Sequence, residues 1–321
     1  MRPRAIFFGT PAFAVPSLEA ASSLAEIVSV VTQPDRRAGR GLELVMPPVK
    51  ARALELGFPV IQPTKVKTPE LAQSLRDLSA SVGIVVAYGR ILPRSVLDAP
   101  TLGCLNVHAS LLPRWRGAAP IAWAIAHGDR ETGVCLMKMD EGMDTGPVLA
   151  RATTEIGSDE TAGELGERLA RLGAGLLLDQ LPAYLTGRLS EQPQRNADAT
   201  MAPMLEKPHG RIVWSEPSRV VHDRVRAMSP WPGAFTSAGN EVLKVHRTLV
   251  VTEGGAAGEA GAVVAANASS ATHDGALQIA CGSGIVAILE LQFPGRRRMT
   301  AREALSGRSW HPGQRLGMEF P

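Results

Sequence analysis

The sequence predicts an α/β fold with a doubly wound, mostly parallel sheet, followed by a smaller β domain. In the N-terminal half, short apolar runs alternate with helical patterns, and glycine, proline or polar residues separate them. Beyond residue 205 the pattern changes to short strand-like runs joined by glycine- and alanine-rich connections. The first observation favours strands linked through helices, and the second favours a small barrel or sandwich.

The elements of the α/β domain are predicted in order along the chain. Apolar runs predict strands at Ala5–Gly9, Ile27–Thr32, Val60–Gln62, Val82–Ala87, Leu105–Ala109 and Gly133–Asp140. Helical spacing predicts helices from Pro16 to Ala25 and at Val49–Leu56, Pro69–Leu78, Pro120–His127 and Thr161–Leu185. Because ligands of such sheets bind beyond the carboxyl ends of the strands, functional residues are expected there.

The C-terminal part is predicted to be a separate domain. A polar segment with scattered prolines predicts a linker over 190–206, which places the domains at 1–189 and 207–321. The second domain has predicted strands at Gly233–Thr236, Glu241–Val251, Gly261–Ala266, Gly275–Ala280 and Ile285–Gln292.

Composition excludes several classes of protein. The net charge of +3 over 321 residues is too mild to argue for a nucleic-acid partner, although it permits one. Cys104, Cys135 and Cys281 are widely spaced and odd in number, so neither a disulfide framework nor a metal site is expected. We expect a cytoplasmic protein without membrane contact, because no signal-peptide pattern and no apolar run of membrane length is present.

The segment Asn106–Gly117 (NVHASLLPRWRG), with the later Asp144-Thr145-Gly146, carries the most chemistry. Asn106 and His108 are two residues apart on a predicted strand, so their side chains point to the same face. An amide and an imidazole can stabilise an oxyanion, at roughly 3–4 kcal/mol per donor, and a carboxylate suits proton transfer. The alternative is a buried Asn and His that satisfy backbone groups, and the irregular Pro-Arg-Trp-Arg-Gly turn that follows favours a functional site.

Several motifs carry a resemblance to a known family. The set comprises Phe8–Ala12 (FGTPA), Thr32–Gly41 (TQPDRRAGRG), Val86–Pro93 (VAYGRILP), Ser110–Pro120 (SLLPRWRGAAP), Asp140–Pro147 (DEGMDTGP), Ser229–Gly233 (SPWPG) and Pro312–Gly317 (PGQRLG). Together they resemble the folate-dependent formyltransferases, and in particular those members that act on methionyl initiator tRNA. The resemblance covers essentially the whole chain in order.

The resemblance implies a fold, an activity and a set of site residues. The fold would be a Rossmann-like formyltransferase domain followed by an OB-like β-barrel. The activity would be transfer of the formyl group from 10-formyltetrahydrofolate to the amine of methionyl initiator tRNA, with no metal and no covalent enzyme intermediate. Asn106 and His108 would polarise the formyl oxygen, and Asp144 would set the charge of His108 and accept a proton. The folate pocket would be lined by Ser110, Leu111, Leu112, Pro113, Val86, Ala87, Tyr88 and Gly89.

Candidate tRNA contacts lie in two places. The Gln33–Pro48 connection is long for a link between a strand and a helix, and the resemblance implies that it reaches the acceptor end of the tRNA through Arg36, Arg37 and Arg40. On the C-terminal domain the candidates are Lys207, Arg224, Arg226, Arg296, Arg297 and Arg298, of which the Arg296–Arg298 run is the strongest. Taken alone, each of these charges could equally belong to a solvated face. Leu42-Glu43 and Met204 stand where family members often carry lysines.

Other functions remain open from the sequence. Sugar-nucleotide formyltransferases, glycinamide ribonucleotide transformylase, and formyltetrahydrofolate hydrolases and dehydrogenases share the catalytic trio. A catalytically inactive RNA-binding protein is an alternative of another class. The Arg36–Arg40 loop and the SPWPG segment favour a tRNA substrate, and the intact trio argues against an inactive protein. A monomer is expected.

Overall fold

The structure is a computed structural model that describes residues 2–38, 43–266, 277–307 and 309–317. The chain divides into two compact units. Unit 1 comprises residues 1–120, 131–155 and 166–203, and unit 2 comprises residues 121–130, 156–165 and 204–321.

Helices and strands alternate through the first part of the chain. The strands are β1 (Arg4–Gly9), β2 (Glu26–Val31), β3 (Arg36–Ala38), β4 (Glu43–Val45), β5 (Val60–Ile61), β6 (Val82–Val86), β7 (Cys104–His108), β8 (Arg116–Gly117), β9 (Glu131–Lys138), β10 (Val148–Glu155) and β11 (Met201–Ala202). The helices are α1 (Val15–Leu24), α2 (Pro48–Glu55), α3 (Pro69–Asp77), α4 (Arg94–Leu97), α5 (Pro120–Ala126) and α6 (Ala162–Leu185). Within the described residues, no helix is both long enough and apolar enough to cross a membrane.

Unit 1 is built around a seven-stranded sheet in the order β10-β9-β7-β6-β1-β2-β5. Neighbouring strands from β7 to β5 are parallel, whereas β9 runs antiparallel to β7 and β10 antiparallel to β9. The predicted mostly parallel α/β sheet is therefore confirmed. Strand β10 is absent from the sequence prediction, because it is an edge strand whose solvent-facing positions are polar.

The centre of this sheet is fully buried, which explains why its strands read as continuous apolar runs. In β1, the side chains from Ala5 to Phe8 are 0% exposed. Burial of a side chain of this kind contributes about 1.5–3 kcal/mol for the larger residues, which makes the sheet a rigid platform for residues at its carboxyl edge.

Helix α6 lies unusually close to the strand that carries Asn106 and His108. A Cβ atom on Gly173 would lie 2.7 Å from Cγ1 of Val107, so glycine is what permits this approach. Because side chains alternate along a strand, Val107 points toward the helix while its two neighbours point to the opposite face.

The long connection after β2 contains a hairpin rather than a loop alone. Strands β3 and β4 pair antiparallel, with Arg37 opposite Leu44. The hairpin is short and highly charged, so apolar alternation does not signal it. Residues 39–42, which include the predicted contact Arg40, lie outside the described residues.

Unit 2 contains a six-stranded antiparallel sheet. Its strands are β12 (Ala234–Ala238), β13 (Glu241–Thr252), β14 (Val263–Ala266), β15 (Leu277–Ala280), β16 (Ile285–Gln292) and β17 (Met299–Thr300), in the order β12-β13-β16-β15-β14 with β17 beside β16. The predicted strand Gly275–Ala280 begins in residues 267–276, outside the described residues.

Two helices of unit 2 depart from the expectation of strands alone. They are α7 (Ser218–Ala227) and α8 (Ala301–Gly307). Val221 and Val225 of α7 are buried in the same core as Trp214 and Leu243. Their spacing of four residues was a helical signal that the surrounding arginines and the histidine obscure.

The C-terminal segment connects the two edges of this sheet. The backbone N–H of Gly317 donates to the carbonyl oxygen of Ser237 at the end of β12, and that of Leu316 donates to the carbonyl oxygen of Gly261 before β14. Both edge strands therefore have hydrogen-bond partners in the same short segment.

Candidate active site

The three predicted catalytic side chains converge in unit 1. Oδ1 of Asp144 lies 3.4 Å from Nδ2 of Asn106 and 3.7 Å from Nδ1 of His108. Asn106 is 9% exposed and His108 is 6% exposed, whereas the side chain of Asp144 is 17% exposed. The cluster is thus largely shielded from water, and the carboxylate is its most exposed member.

The hydrogen bonds of His108 decide the role of each ring nitrogen. Nε2 lies 3.0 Å from the carbonyl oxygen of Trp115. A carbonyl oxygen accepts but cannot donate, so Nε2 carries a hydrogen and donates to it. Nδ1 is therefore the nitrogen that faces Asp144 and can gain or lose a proton.

Asp144 is held in place by a hydrogen bond to its side chain. Its Oδ2 accepts a hydrogen bond of 2.8 Å from the backbone N–H of Gly117. Gly117 has a φ of +122°, and a Cβ atom there would lie 2.6 Å from the carbonyl oxygen of Ala202. Only glycine fits this position, and the N–H is thereby directed at the carboxylate.

The turn that carries Asp144 is closed by local hydrogen bonds. Oδ1 of Asp140 accepts from the backbone N–H of Gly142 at 3.0 Å and from Oγ1 of Thr145 at 2.7 Å. A Cβ atom on Gly146 would lie 1.9 Å from the carbonyl oxygen of Lys138, so the turn needs glycine there as well. Asp144 itself has a φ of +53°, which is uncommon for a residue other than glycine.

The predicted folate residues after β6 alternate between buried and exposed. Val86 and Tyr88 are buried, whereas Ala87 and Gly89 are exposed. Burial raises the pKa of the Tyr88 hydroxyl, and its ring packs edge-on against Phe8. The backbone turns sharply here, with φ of +47° at Ala87 and +80° at Gly89. The exposed residues of this segment therefore have at most a methyl side chain, which leaves little to cover the backbone.

The side chain of Gln33 holds this turn. Its Nε2 donates to the carbonyl oxygens of Tyr88 and Gly89, at 3.0 and 3.2 Å. A Cβ atom on Gly89 would lie 2.6 Å from the same nitrogen, so the close approach depends on glycine.

The second group of predicted folate residues follows β7. Ser110 is fully buried, and its Oγ donates to the carbonyl oxygen of Arg114 at 2.6 Å. Leu112 is buried, while Leu111 and Pro113 are half-buried. Ser110 and Leu112 therefore stabilise the turn from inside, and Leu111 and Pro113 retain accessible apolar surface.

The cysteines do not provide a nucleophile. All three are buried. Burial raises the pKa of the thiol to about 12 in Cys104, about 11 in Cys135 and about 12 in Cys281. They stay protonated at neutral pH, and a protonated thiol is a poor nucleophile. In the part of the chain that the structure describes, no group of three or more His, Cys, Asp or Glu side chains could hold a metal ion.

The predicted tRNA contacts lie in both units. Arg36 and Arg37 are exposed on the β3–β4 hairpin, where Arg36 donates to Oε1 of Gln33. Lys207 is exposed at the start of a short 3₁₀ turn in unit 2. These positions are accessible to a large ligand. The prediction for Arg226 is wrong, because this residue is 6% exposed and its Nε lies 2.7 Å from Oδ1 of Asp223.

The Arg296–Arg298 run is not uniformly available. Nη2 of Arg297 lies 2.6 Å from Oε1 of Glu303, and Arg298 pairs with Glu290. The Arg297 contact, after hydrogen bonds from Thr300, helps to lower the pKa of Glu303. Within the described residues Arg296 has no carboxylate partner, so it differs from its neighbours.

Sequence reasoning missed the residues that support the trio. Trp115 and Gly117 lie inside a motif that it did single out, but their backbone roles follow from the turn geometry. Gln194 and Thr200 fall in the predicted linker, although Oγ1 of Thr200 accepts from the backbone N–H of Trp115 at 2.9 Å. The pairing of β11 with β8 brings this segment beside the site, and no pattern in the sequence signals it.

Comparisons with known proteins find relatives along nearly the whole chain. The family model described as formyl transferase matches residues 4–181, and the one described as formyl transferase, C-terminal domain, matches residues 204–309. A methionyl-tRNA formyltransferase from Sorangium cellulosum is 51% identical over 315 residues, which cover 98% of this chain and 99% of that protein. The enzyme of the same name from Myxococcus xanthus is 51% identical over 312 residues, 97% of each chain.

Solved structures show the same fold at low sequence identity. An N-formyltransferase from Helicobacter canadensis, in complex with folinic acid and dTDP-3-aminofucose, matches with a TM-score of 0.63 and 19% identity, over 90% of this chain and 99% of that one. HypX from Aquifex aeolicus, in complex with tetrahydrofolic acid, matches with a TM-score of 0.62 and 18% identity. That match covers 99% of this chain and 51% of HypX, so the chain spans about half the length of HypX.

Proposed function

The chain belongs to the formyl transferase family, and we propose that it transfers the formyl group of 10-formyltetrahydrofolate to the amine of methionyl initiator tRNA. The product, N-formylmethionyl-tRNA, serves translation initiation. The observation that carries this proposal is the relationship over nearly the full chain to methionyl-tRNA formyltransferases, together with the convergence of Asn106, His108 and Asp144. The sugar-modifying alternative rests on a likeness of fold alone.

Asn106 is proposed to stabilise the charge that develops on the formyl oxygen. Its Nδ2 directs one hydrogen toward Asp144 at 3.4 Å, and the amide has a second hydrogen that can be donated to a substrate. The site is largely closed to water, and a donor fixed in such a site is typically worth about 10²–10³ in rate.

His108 and Asp144 are proposed to handle the proton that the attacking amine loses. Nδ1 of His108 can take up this proton, because Nε2 is already committed to the carbonyl of Trp115. The protonated ring then places a positive charge opposite Oδ1 of Asp144 at 3.7 Å. As the new C–N bond forms and the formyl carbon separates from N10 of the folate, the proton passes to N10.

The folate is proposed to bind between the two turns that follow β6 and β7. Folate supplies a formyl group on N10, beside a flat heteroaromatic ring that has both donor and acceptor atoms. Ala87 and Gly89 are exposed and small, so a ligand can approach their backbone, and half-buried Leu111 and Pro113 offer apolar contact. Val86, Tyr88, Ser110 and Leu112 are proposed to shape this pocket from behind.

Residues 1–189 are proposed to form the catalytic domain, 190–206 the linker and 207–321 a tRNA-binding domain with an OB-like barrel. Support comes from the separate family matches to the two parts and from the hydrogen bonds of Leu316 and Gly317 to both edge strands of the antiparallel sheet. We propose that Arg36, Arg37 and Arg40 contact the tRNA near the reacting amine, and that Lys207 and Arg296–Arg298 contact its phosphates. We also propose that the protein is a cytoplasmic monomer.

A competition between acceptors tests the proposed function. The full chain is given 10-formyltetrahydrofolate with either methionyl initiator tRNA or a dTDP-amino-sugar, and formyl transfer is followed by mass spectrometry. We expect kcat/KM for the tRNA to exceed that for the sugar by at least about 10³, because the tRNA offers many backbone phosphates to the proposed basic contacts, whereas the dTDP-sugar carries a single diphosphate. Uncharged tRNA, which lacks the amine, is the control.

Two results would overturn the proposal. Faster transfer to the amino sugar would assign the protein to the sugar-nucleotide enzymes. Binding of tRNA without any formyl transfer would support an inactive RNA-binding homologue instead.

A further inference from the structure

The side chain of Gln194 joins a buried arginine to the turn that carries Asp144. Its Nε2 lies 2.8 Å from the carbonyl oxygen of Asp144 and 2.7 Å from that of Gly146. Its Oε1 lies 3.1 Å from Nε and 2.8 Å from Nη2 of Arg116. Both the nitrogen and the oxygen of this amide are therefore hydrogen-bonded, and all of their partners belong to unit 1.

Arg116 fixes the orientation of this amide. An arginine donates hydrogen bonds and accepts none, so the atom of Gln194 that faces the guanidinium must be the oxygen. The NH₂ group must then face the two carbonyl oxygens, which can only accept. Arg116 is 6% exposed, so water competes little for these bonds.

The chain on both sides of Gln194 is fixed to the same unit. The backbone N–H and C=O of Gln192 both bond to Val148, each at 2.9 Å. Further on, Met201 of β11 pairs with Arg116 of β8. The amide is thus presented from an anchored segment and not from a free linker.

Asp144 needs support at its backbone as well as at its carboxylate. Its φ of +53° lies in the left-handed region, which residues other than glycine adopt only when the surroundings hold them there. The N–H of Gly117 fixes one carboxylate oxygen, and Gln194 fixes the carbonyl group of the same residue. Together these contacts determine where the second carboxylate oxygen points.

We propose that Gln194 and Arg116 are positioning residues that hold the Asp144 carboxylate opposite Nδ1 of His108 for formyl transfer. They act through Asp144 and not on the substrate. The inference rests on the proposed function and deepens it, because the rate then depends on a segment that lies outside every recognised motif of the site.

Glutamine is suited to this place because the bridge needs an acceptor at one end and a donor at the other. In Gln194→Glu the carboxylate still accepts from Arg116, but it faces the carbonyl oxygens of Asp144 and Gly146 without a hydrogen to donate. In Gln194→Met the side chain has a similar length and makes neither set of bonds. The two variants separate loss of the donor end from loss of the whole bridge.

The test compares kcat and KM in the full-length protein. Both Gln194 variants are expected to lower kcat by about 10- to 100-fold, because misplacing a catalytic group by about 1 Å costs up to 10²-fold in rate. KM for methionyl initiator tRNA and for 10-formyltetrahydrofolate should change less than about twofold, since the binding surfaces are intact. A wild-type kcat in Gln194→Glu would overturn the proposal, even if Gln194→Met fails to fold.

Gln192 provides the matched control. It lies two residues earlier, it is exposed, and its Oε1 accepts from Nη1 of Arg151 at 3.0 Å without reaching the Asp144 turn. Gln192→Met and Gln192→Glu are expected to keep kcat within about twofold of wild type. An equal loss of kcat in the Gln192 variants would show that the segment matters only for folding, and would overturn the specific role of Gln194.

A double-mutant cycle tests the part played by Arg116. If Arg116 acts through Gln194, the double variant Arg116→Met/Gln194→Met should be no slower than Gln194→Met alone. Arg116→Lys, which keeps one donor, should recover part of the kcat that Arg116→Met loses. If the fold loss of kcat in the double variant equals the product of the losses in the two single variants, Arg116 acts independently of Gln194.

Asp144→Asn, measured in parallel, separates this inference from the proposed function. If Asp144→Asn is slow while both Gln194 variants match wild type, the positioning role alone fails. If Asp144→Asn turns over at the wild-type rate, the proposed role of Asp144 fails, and the positioning role fails with it.

Discussion

At the scale of single residues, the proposed chemistry depends on which nitrogen of His108 is free to exchange a proton. The carbonyl of Trp115 occupies Nε2, and Asp144 faces Nδ1. The ring is therefore oriented by one hydrogen bond, and the proposed proton transfer uses the other nitrogen, which is a common arrangement for a histidine in general acid–base catalysis.

Replacement of His108 by alanine tests this arrangement. We expect His108→Ala to lower kcat for formyl transfer by about 10²–10⁴, because the positioned proton acceptor is lost. Single-turnover rates at saturating substrate give the comparison. His127→Ala, which removes an exposed histidine, is the control and should keep the wild-type rate. Near-normal turnover in His108→Ala would remove His108 from the catalytic trio.

The residues of the site differed in how far the sequence could reveal them. Asn106 and His108 were predictable, because a spacing of two on an apolar strand places both side chains on one face. Asp144 was predicted from a motif that lies more than thirty positions after His108, and not from any periodicity. Gln194 could not be predicted, since its position beside Asp144 depends on long-range pairing of β11 with β8 and not on local propensity.

At the scale of elements, helix α6 determines how closely β7 is supported. Gly173 and Gly175 are two residues apart on this helix. An added Cβ atom would contact Val107 at Gly173 but not at Gly175. The same substitution at the two glycines should therefore have opposite effects on stability.

Gly173→Ala is expected to lower the free energy of unfolding by about 1–3 kcal/mol, because its Cβ would meet Cγ1 of Val107 at 2.7 Å. Gly175→Ala should raise it by about 0.5–1 kcal/mol, because no heavy atom lies within 4 Å of the added Cβ and alanine favours the helix. Urea denaturation of both variants measures the difference. Equal effects of the two substitutions would contradict the close packing of α6 on β7.

The elements that sequence analysis missed share a physical cause. Strand β10 has one polar face because it lies at the edge of its sheet, and α7 carries two buried valines among charged residues. In both cases tertiary packing, and not an uninterrupted apolar pattern, decides the conformation. The central strands β1, β2, β6 and β7 were predictable because burial on both faces makes them apolar throughout.

The β3–β4 hairpin provides a functional prediction for an element. Arg37 is exposed on this hairpin, so Arg37→Ala is expected to raise KM for methionyl initiator tRNA by about 3- to 10-fold, the loss of about 1 kcal/mol for one charge-assisted contact. KM for the folate should not change. Arg76→Ala, at an exposed arginine of α3, is the control. An effect on folate alone would reject the hairpin as a tRNA contact. Arg40 remains a sequence prediction of the same kind.

At the scale of the whole molecule, the tRNA contacts proposed in unit 2 are separate from the residues proposed to carry out the chemistry. The proposed catalytic trio and its supports all belong to unit 1, whereas the Arg296–Arg298 run belongs to unit 2. Substitutions in the arginine run should then change tRNA affinity while leaving the chemical step intact.

Arg296 is the most informative position for this division. Arg297 and Arg298 already pair with Glu303 and Glu290, so a phosphate must compete with a carboxylate for each of them. Arg296→Gln is therefore expected to reduce the slope of log K for tRNA against log salt by about 0.7–0.9, the value for one phosphate contact, and Arg297→Gln by less. Binding measured by fluorescence anisotropy between 50 and 200 mM salt, about the range over which such contacts weaken, gives the slopes. Since the single-turnover rate at saturating tRNA depends on unit 1, it should stay at the wild-type value. An unchanged slope in Arg296→Gln would show that this face of unit 2 does not bind phosphate.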